Sequence, residues 1–434
     1  MLTIHGGRQP GCDGLKRRDF LKIGAFGAGL SLADWCLANE AAASRPRKSA
    51  IMIYLAGGPS HIDMYDLKPD APSEYRGDFK PIKTNVPGME ICELMPLQAR
   101  MWDKLSCIRS ITCAAEHSDS EIHTGYSYAI NRTAQHPSFG AVVSKLRQQG
   151  GSGVPPFVSL RKQRPKEDPN PEFSVGVTAG FLGDSHRAFA PTGPGMEDLQ
   201  LNEAITLARL EDRKRLLAGF DSMRRDLDAS GAMQAVDSHT ARALDLVVSG
   251  EVHQALDLQR EDVRTRARYK GAEQFLLARR LVEAGVGFVT IGIDGWDTHG
   301  NNFGMLRRLL PQVDVGVSNL VQDLCDRGLD QDVLTVMWGE FGRAPKINAS
   351  LLGPGRDHWP QVMSALIAGG GLRMGQVIGS TTSRAETPKD RPYRVPQVLA
   401  TLYRAMEIDP ARTFLRNGRP VHILDDRDPV AELL

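Results

Sequence analysis

The segment 286–300, VGFVTIGIDGWDTHG, sets two carboxylates and an imidazole just past a continuous apolar run. Asp294, Asp297 and His299 are the groups of interest. Asp-x-His spacing lets an oxygen and a nitrogen donor reach one cation. An Asx-type turn with a hydrogen-bonded histidine is the plainer reading. The stretch GEFGR (339–343) repeats the theme, with Glu340 after an apolar run and Arg343 able to grip an anionic oxygen pair bidentately. A Glu340–Arg343 ion pair is its structural alternative. In GRDHWP (355–360), Asp357 and His358 lie between glycine and proline, and such loop placement favours a site over packing.

Two earlier clusters have the same character. GGPSHID (57–63) carries Ser60, His61 and Asp63, with Asp66 just beyond. Ser60 and His61 are adjacent, so in an extended chain they point apart and make no nucleophile–base pair. Gly57 and Gly58 permit close backbone approach to a ligand. EHSDSEIHTG (116–125) packs His117, Ser118, Asp119 and His123 together. On a helix Asp119 and His123 share a face, while Ser118 or Ser120 capping a solvated helix accounts for part of the pattern.

Each cluster is weak alone. Their common placement is the signal, because one edge of a sheet can gather groups from several strand ends. Apolar runs at 49–56, 105–111, 157–160, 286–293, 332–338 and 364–368 read as strands. Between them, 94–104, 120–130, 138–148, 264–284, 302–328 and 396–406 read as helices, with Gly285 as a stop after the fourth. This alternation predicts an α/β fold with a mostly parallel central sheet and helices on both faces. The stretch 161–200 is rich in Pro and Gly, and about 201–258 is polar and helical. We read insertions near 161–260 within a single domain, 44–434.

The chain has 434 residues, 41% of them apolar, enough for a sizeable core. With 53 basic and 52 acidic residues the net charge is +1, which offers no electrostatic footprint for nucleic acid. No apolar run is long enough for a spanning helix. KRRDFLK (16–22), a modest apolar stretch and Ala41–Ala43 read as a twin-arginine export signal over 1–43. The expected location is the periplasm or cell surface. That route carries folded proteins, which fits a metal site loaded before export. Cys92, Cys107, Cys113 and Cys325 remain after the signal. Without C-x-x-C spacing a thiolate zinc site is disfavoured. A Cys92–Cys107 or Cys107–Cys113 disulfide and buried free thiols are equally open readings.

The ordered motifs GGPSHID, HTG (123–125), GWDTH (295–299), GEFGR and GRDHW resemble domain-of-unknown-function family 1501, whose members are exported and sulfatase-like. The resemblance covers nearly all of the chain after the signal. It implies an alkaline-phosphatase-like fold and a superfamily that usually binds two metals. One site maps onto Asp294 or Asp297, His299 and His358, with Asp357 as a fourth ligand or a support for His358. The partner site would use an early strand-end Asp and an Asp-His pair. Here those positions read Gly57-Gly58, with Asp63 only further on, and Glu340-Phe341. No formylglycine sulfatase motif precedes Thr124-Gly125, which leaves Ser118 as candidate hydroxyl nucleophile and His117 as ligand, base or phosphoryl acceptor.

The expected function is a metal-dependent hydrolase of phosphate or sulfate esters or related bonds. One divalent cation, zinc or manganese rather than calcium or magnesium, would sit in one well-formed site. Arg343 would hold a small anionic or glycan-derived ester and His117 would act as general acid or base. The alternative is a catalytically degenerate member of the fold that binds or assembles with an exported protein partner.

Overall fold

A computed structural model of the protein describes residues 48–147, 154–162, 171–191 and 251–434. The expected export signal, residues 163–170 and most of the polar helical stretch (192–250) lie outside the described residues.

The core is an eight-stranded sheet. In chain order its strands are β1 (Ser49–Leu55), β2 (Ser106–Thr112), β3 (Phe157–Ser159), β4 (Phe288–Ile293), β5 (Val333–Trp338), β6 (Met363–Gly369), β7 (Gln376–Ile378) and β8 (Tyr393–Arg394). Across the sheet the order is β7-β2-β6-β5-β1-β4-β3, and β8 also pairs with β2. β1 lies between β4 and β5, parallel to both, and all seven of its residues are buried. A strand enclosed by neighbours and by both faces must be apolar throughout, as SAIMIYL nearly is.

β6 runs against the rest, antiparallel to both β5 and β2. Its start therefore lies at the edge where β1, β2, β4 and β5 end. The loop preceding β6 reaches the same edge as the loops following the parallel strands, the place where open α/β sheets hold ligands.

Helices cover both faces. α1 (Phe139–Arg147) and α4 (Val395–Ala405) pack with Ala50, Met52 and Tyr54 of β1. α2 (Glu273–Glu283) and α3 (Asn302–Asp326) pack with Ile51, Ile53 and Leu55 on the other side. Alternate residues of one strand thus feed two cores.

Expected element types hold more often than expected bounds. The helix expected over 120–130 is broken at Gly125 (φ 82°), leaving Ser120–Thr124 and Tyr128–Ala134. The helix expected over 264–284 is broken at Gly271 (φ 80°), leaving Val263–Arg268 and α2. In the stretch expected as helix over 94–104, only Pro96–Ala99 is α-helical, followed by a 3-10 turn at Trp102–Lys104. No described helix is long and apolar enough to cross a membrane. All four cysteines of the described residues are free thiols, so neither candidate disulfide is present.

Candidate metal centre

Beyond Ile293 the chain turns through Gly295 (φ 100°) and buries Trp296. The anchored indole projects Asp297 and His299 from the strand edge, and both are about half exposed. His358 arrives from the antiparallel side, pairing across a two-residue ribbon with Arg343. Three donor atoms meet there. His358 Nε2 is 2.9 Å from Asp297 Oδ1, His299 Nε2 is 3.1 Å from the same oxygen, and the two ring nitrogens are 3.0 Å apart. Metal–ligand bonds near 2.0–2.1 Å in a tetrahedral site imply donor separations of about 3.3 Å, so this triangle needs only slight expansion.

His299 Nδ1 lies 2.7 Å from Asp357 Oδ1, and an ionised carboxylate can only accept. The Nδ1–H is thus spent on Asp357, and Nε2 is the ring atom that faces Asp297 Oδ1. The carboxylate behind the ring is the support that metal-binding imidazoles usually have. These residues fit a metal ion.

Asp297 is held ready for that role. Partial burial pushes its carboxyl up, but hydrogen bonds from His358 and Arg343 and the guanidinium charge outweigh it, leaving the pKa well below the usual range. Arg343 Nη2 donates to Asp297 Oδ1 at 2.5 Å. Asp357 is likewise lowered, by hydrogen bonds from His299 and then Asn348.

His117 stands beside this triangle. Its ring stacks on His358, centroids 4.7 Å apart and planes 5° from parallel. His117, Asp297 and His358 each offer a donor atom within 4.8 Å of the others'. Its Nε2 is also 3.7 Å from Glu340 Oε1 and 4.0 Å from Asp297 Oδ2. Burial, then repulsion from His358, lowers its pKa, so the neutral ring is favoured. Glu340 is buried at the end of β5, where Gly57 N–H donates to its Oε1 at 2.9 Å. Burial pushes its carboxyl up to about 7.

The structure gives several expected site residues other partners. Arg343 is not free to hold an anion. It is fully buried, with Nε donating to Gly58 O (2.9 Å), Nη1 to Arg356 O (3.0 Å), and Nη2 to Gly57 O and Asp297. It fixes the loops that carry the centre. Asp63 is not a ligand either. Buried Arg356 grips both its oxygens (2.7 and 3.0 Å), and Ser60 and Asn302 also donate to it. Ser118 gives its hydroxyl proton to Glu172 O and accepts from Ser120 N–H, so no base stands ready to make it a nucleophile. Asp294 is exposed and outside the cluster, which leaves Asp297 as the carboxylate of the pair. Asp357 supports His299 rather than His358, and Glu340 adjoins the triangle without joining it.

The double glycine serves the protein rather than a ligand. A Cβ on Gly57 (φ 109°) would lie 2.4 Å from Asp297 N, and one on Gly58 would strike the Phe341 ring. Sequence reading missed Asn348 as a partner of Asp357, and Phe341 and Phe173 as aromatic neighbours of His117. Phe341 fills the place where the resemblance expected an imidazole, and its ring lies 4.3 Å from that of His358.

The fold and this cluster define an α/β protein with a metal-capable Asp-His-His centre at the carboxyl edge of its sheet. Residues 47–434 match the family described as protein of unknown function (DUF1501), and the chain belongs to it. No curated protein matches the sequence. Similar solved structures include the PsFucS1 sulfatase from Pseudoalteromonas sp., 13% identical, TM-score 0.38, over 91% of this chain and 72% of that one. The phosphonate monoester hydrolase SpPMH from Silicibacter pomeroyi is 10% identical, TM-score 0.36, over 84% and 74%. A mutant of TAB5 alkaline phosphatase is 10% identical, TM-score 0.35, over 84% and 100%. Likenesses this loose carry no argument about activity.

Proposed function

We propose that the protein is a divalent-metal-dependent hydrolase of phosphate or sulfate esters with an alkaline-phosphatase-like architecture, exported by the twin-arginine route. The observation that carries the reading is the triangle of Asp297 Oδ1, His299 Nε2 and His358 Nε2, with Asp357 behind His299. Those three side chains would hold the ion. Two imidazoles and one carboxylate suit zinc or manganese better than calcium or magnesium. When bound, the cation supplies Lewis-acid stabilisation of charge developing on an ester oxygen.

The chain's own residues do the rest. Arg343 fixes Asp297 and the backbone of Gly57 and Gly58. His117, flat against His358, holds or moves a proton at Nε2, on the side facing Glu340. Export rests on the KRRDFLK sequence alone.

The test is elemental analysis of purified protein together with hydrolysis of aryl phosphate and sulfate esters, with and without chelator. Stoichiometric zinc or manganese is expected, with a rate that chelator abolishes and metal restores. No metal above background, and an unchanged rate in His299→Ala, would sink the reading.

A second reading is a non-catalytic binding protein on the same fold. The commitment of both the Ser118 hydroxyl and the Arg343 guanidinium to the protein itself favours it. A stable partner captured by metal-replete protein that hydrolyses none of these esters would establish it.

A further inference from the structure

At the edge of the sheet remote from the metal centre, where β5 begins and β6 ends, a cavity of about 240 Å³ opens beneath the last turns of α3. Its walls are apolar: Val321 and Leu324 from α3, Val333 and Ala368 from the sheet, Leu372 and Met374 from the chain between β6 and β7. Gly371 leaves one side without a side chain, and a Cβ built there would meet no atom nearer than 3.6 Å. Cavities of about 150 Å³ with aliphatic walls take up benzene, so this one has room for a substituted ring.

One polar group in these walls lacks a partner. Side chains alternate along β5, so Thr335 lies on the α3 face with Val333 and Met337. It is 3% exposed, and its hydroxyl meets no hydrogen-bond partner among the described residues. Burying a hydroxyl unpaired is costly, and most such groups are satisfied. A valine would pack in the same space without that cost, so packing does not account for a hydroxyl here. Other buried hydroxyls lack partners too, Thr290 among them, but Thr335 is the one that borders a cavity large enough for a ligand. The charged groups at the mouth are already engaged. Lys104 Nζ donates to Gln322 Oε1 (2.9 Å), Asp103 Oδ1 accepts from Asn85, and Asp330 Oδ2 accepts from Gln331 Nε2 (3.0 Å). Two carboxylates against one ammonium, beside the carbonyl end of α3, disfavour an anion. Cys325 and Met374 add polarisable sulfur to the walls, which favours an aromatic ring.

We propose that this cavity binds a small uncharged aromatic molecule carrying one hydroxyl, with the ring among the aliphatic walls and the hydroxyl paired to Thr335 Oγ1. The site shares no residue with the metal centre, so binding is read whether or not the protein hydrolyses esters.

The experiment is titration calorimetry of the full chain with 4-methylphenol and with toluene, which lacks the hydroxyl, on native protein and on Thr335→Val. The native protein should bind both, and the substitution should weaken 4-methylphenol about fivefold while leaving toluene no weaker. Without ligand, Thr335→Val should unfold at a temperature no lower than the native protein, because it sheds an unpaired hydroxyl. Labelling with N-ethylmaleimide, read at each cysteine by mass spectrometry, locates the ligand: 4-methylphenol should slow labelling of Cys325 and leave that of Cys113 unchanged. Native protein that binds neither compound overturns the proposal. An equal effect of Thr335→Val on both compounds overturns it too, as does binding that leaves the labelling of Cys325 unchanged.

Discussion

Asp357 Oδ1 accepts from His299 Nδ1 at 2.7 Å, so the ring's only neutral-state proton faces away from the centre. Replacing Asp357 with Asn removes the charge that favours this tautomer. Supports of this kind are worth about 10–100-fold in metal affinity. Asp357→Asn should bind zinc more weakly by that factor, read by competition with a chromophoric chelator. Unchanged affinity would remove Asp357 from the centre.

The triangle itself should be all or nothing. His358→Ala takes away one of three donors and the ring on which His117 stacks. Metal content after purification should fall to background, while Glu340→Gln, outside the triangle, should retain the ion. Equal retention by both would place the ion elsewhere.

Gly57 tests the backbone. A side chain there is strained at φ 109° and would meet Asp297 N at 2.4 Å. Gly57→Ala should displace Asp297 and lower metal affinity more than it lowers the unfolding midpoint. Calorimetry on apo and metal-loaded protein separates the two effects.

The Arg356–Asp63 pair, with both side chains almost wholly buried, is a stability element. Removing one partner of such a pair costs about 3–5 kcal/mol because the other charge remains buried. Arg356→Met should lower the urea midpoint accordingly. A change below about 1 kcal/mol would mean that water reaches Asp63.

His123 gives a pH signature away from the centre. Burial lowers its pKa to about 4, against 6.5 for an unburied ring. Between those values the unfolded chain binds a proton that the folded chain does not, so stability is complete above pH 6.5 and falls toward pH 4. Its contribution reaches about 3 kcal/mol at most. Glu121 acts in the opposite sense, since burial raises it to about 7 and its stabilising effect is lost as pH rises from 4.5. Urea unfolding at several pH values, native against His123→Leu, isolates the histidine's share. Parallel curves would show that His123 stays protonated or is solvated.

Much of this was legible from apolar runs. Strands fully enclosed in a sheet must be apolar along their length, so β1, β4 and β5 announced themselves, as did the polar clusters past their ends. The direction of β6 was not legible, because a buried strand looks the same whether it runs up or down. Roles were harder still. An arginine in a strand-end loop reads as an anion clamp, and only the positions of the Gly57, Gly58 and Arg356 carbonyls reveal that Arg343 is spent on backbone. Asp294 and Asp297 cannot be told apart by spacing. The burial of Trp296 between them decides which one faces His358.

The central position of β1 has a consequence for how the chain is made. Its seven buried residues leave the ribosome long before the partners on either side, β4 and β5. Until then a nearly all-apolar strand lacks both of its native neighbours. Such non-local pairing slows folding and exposes the nascent chain to aggregation. Whatever delays the pairing of residues 49–55 therefore lengthens the time for which this enclosed strand stands open.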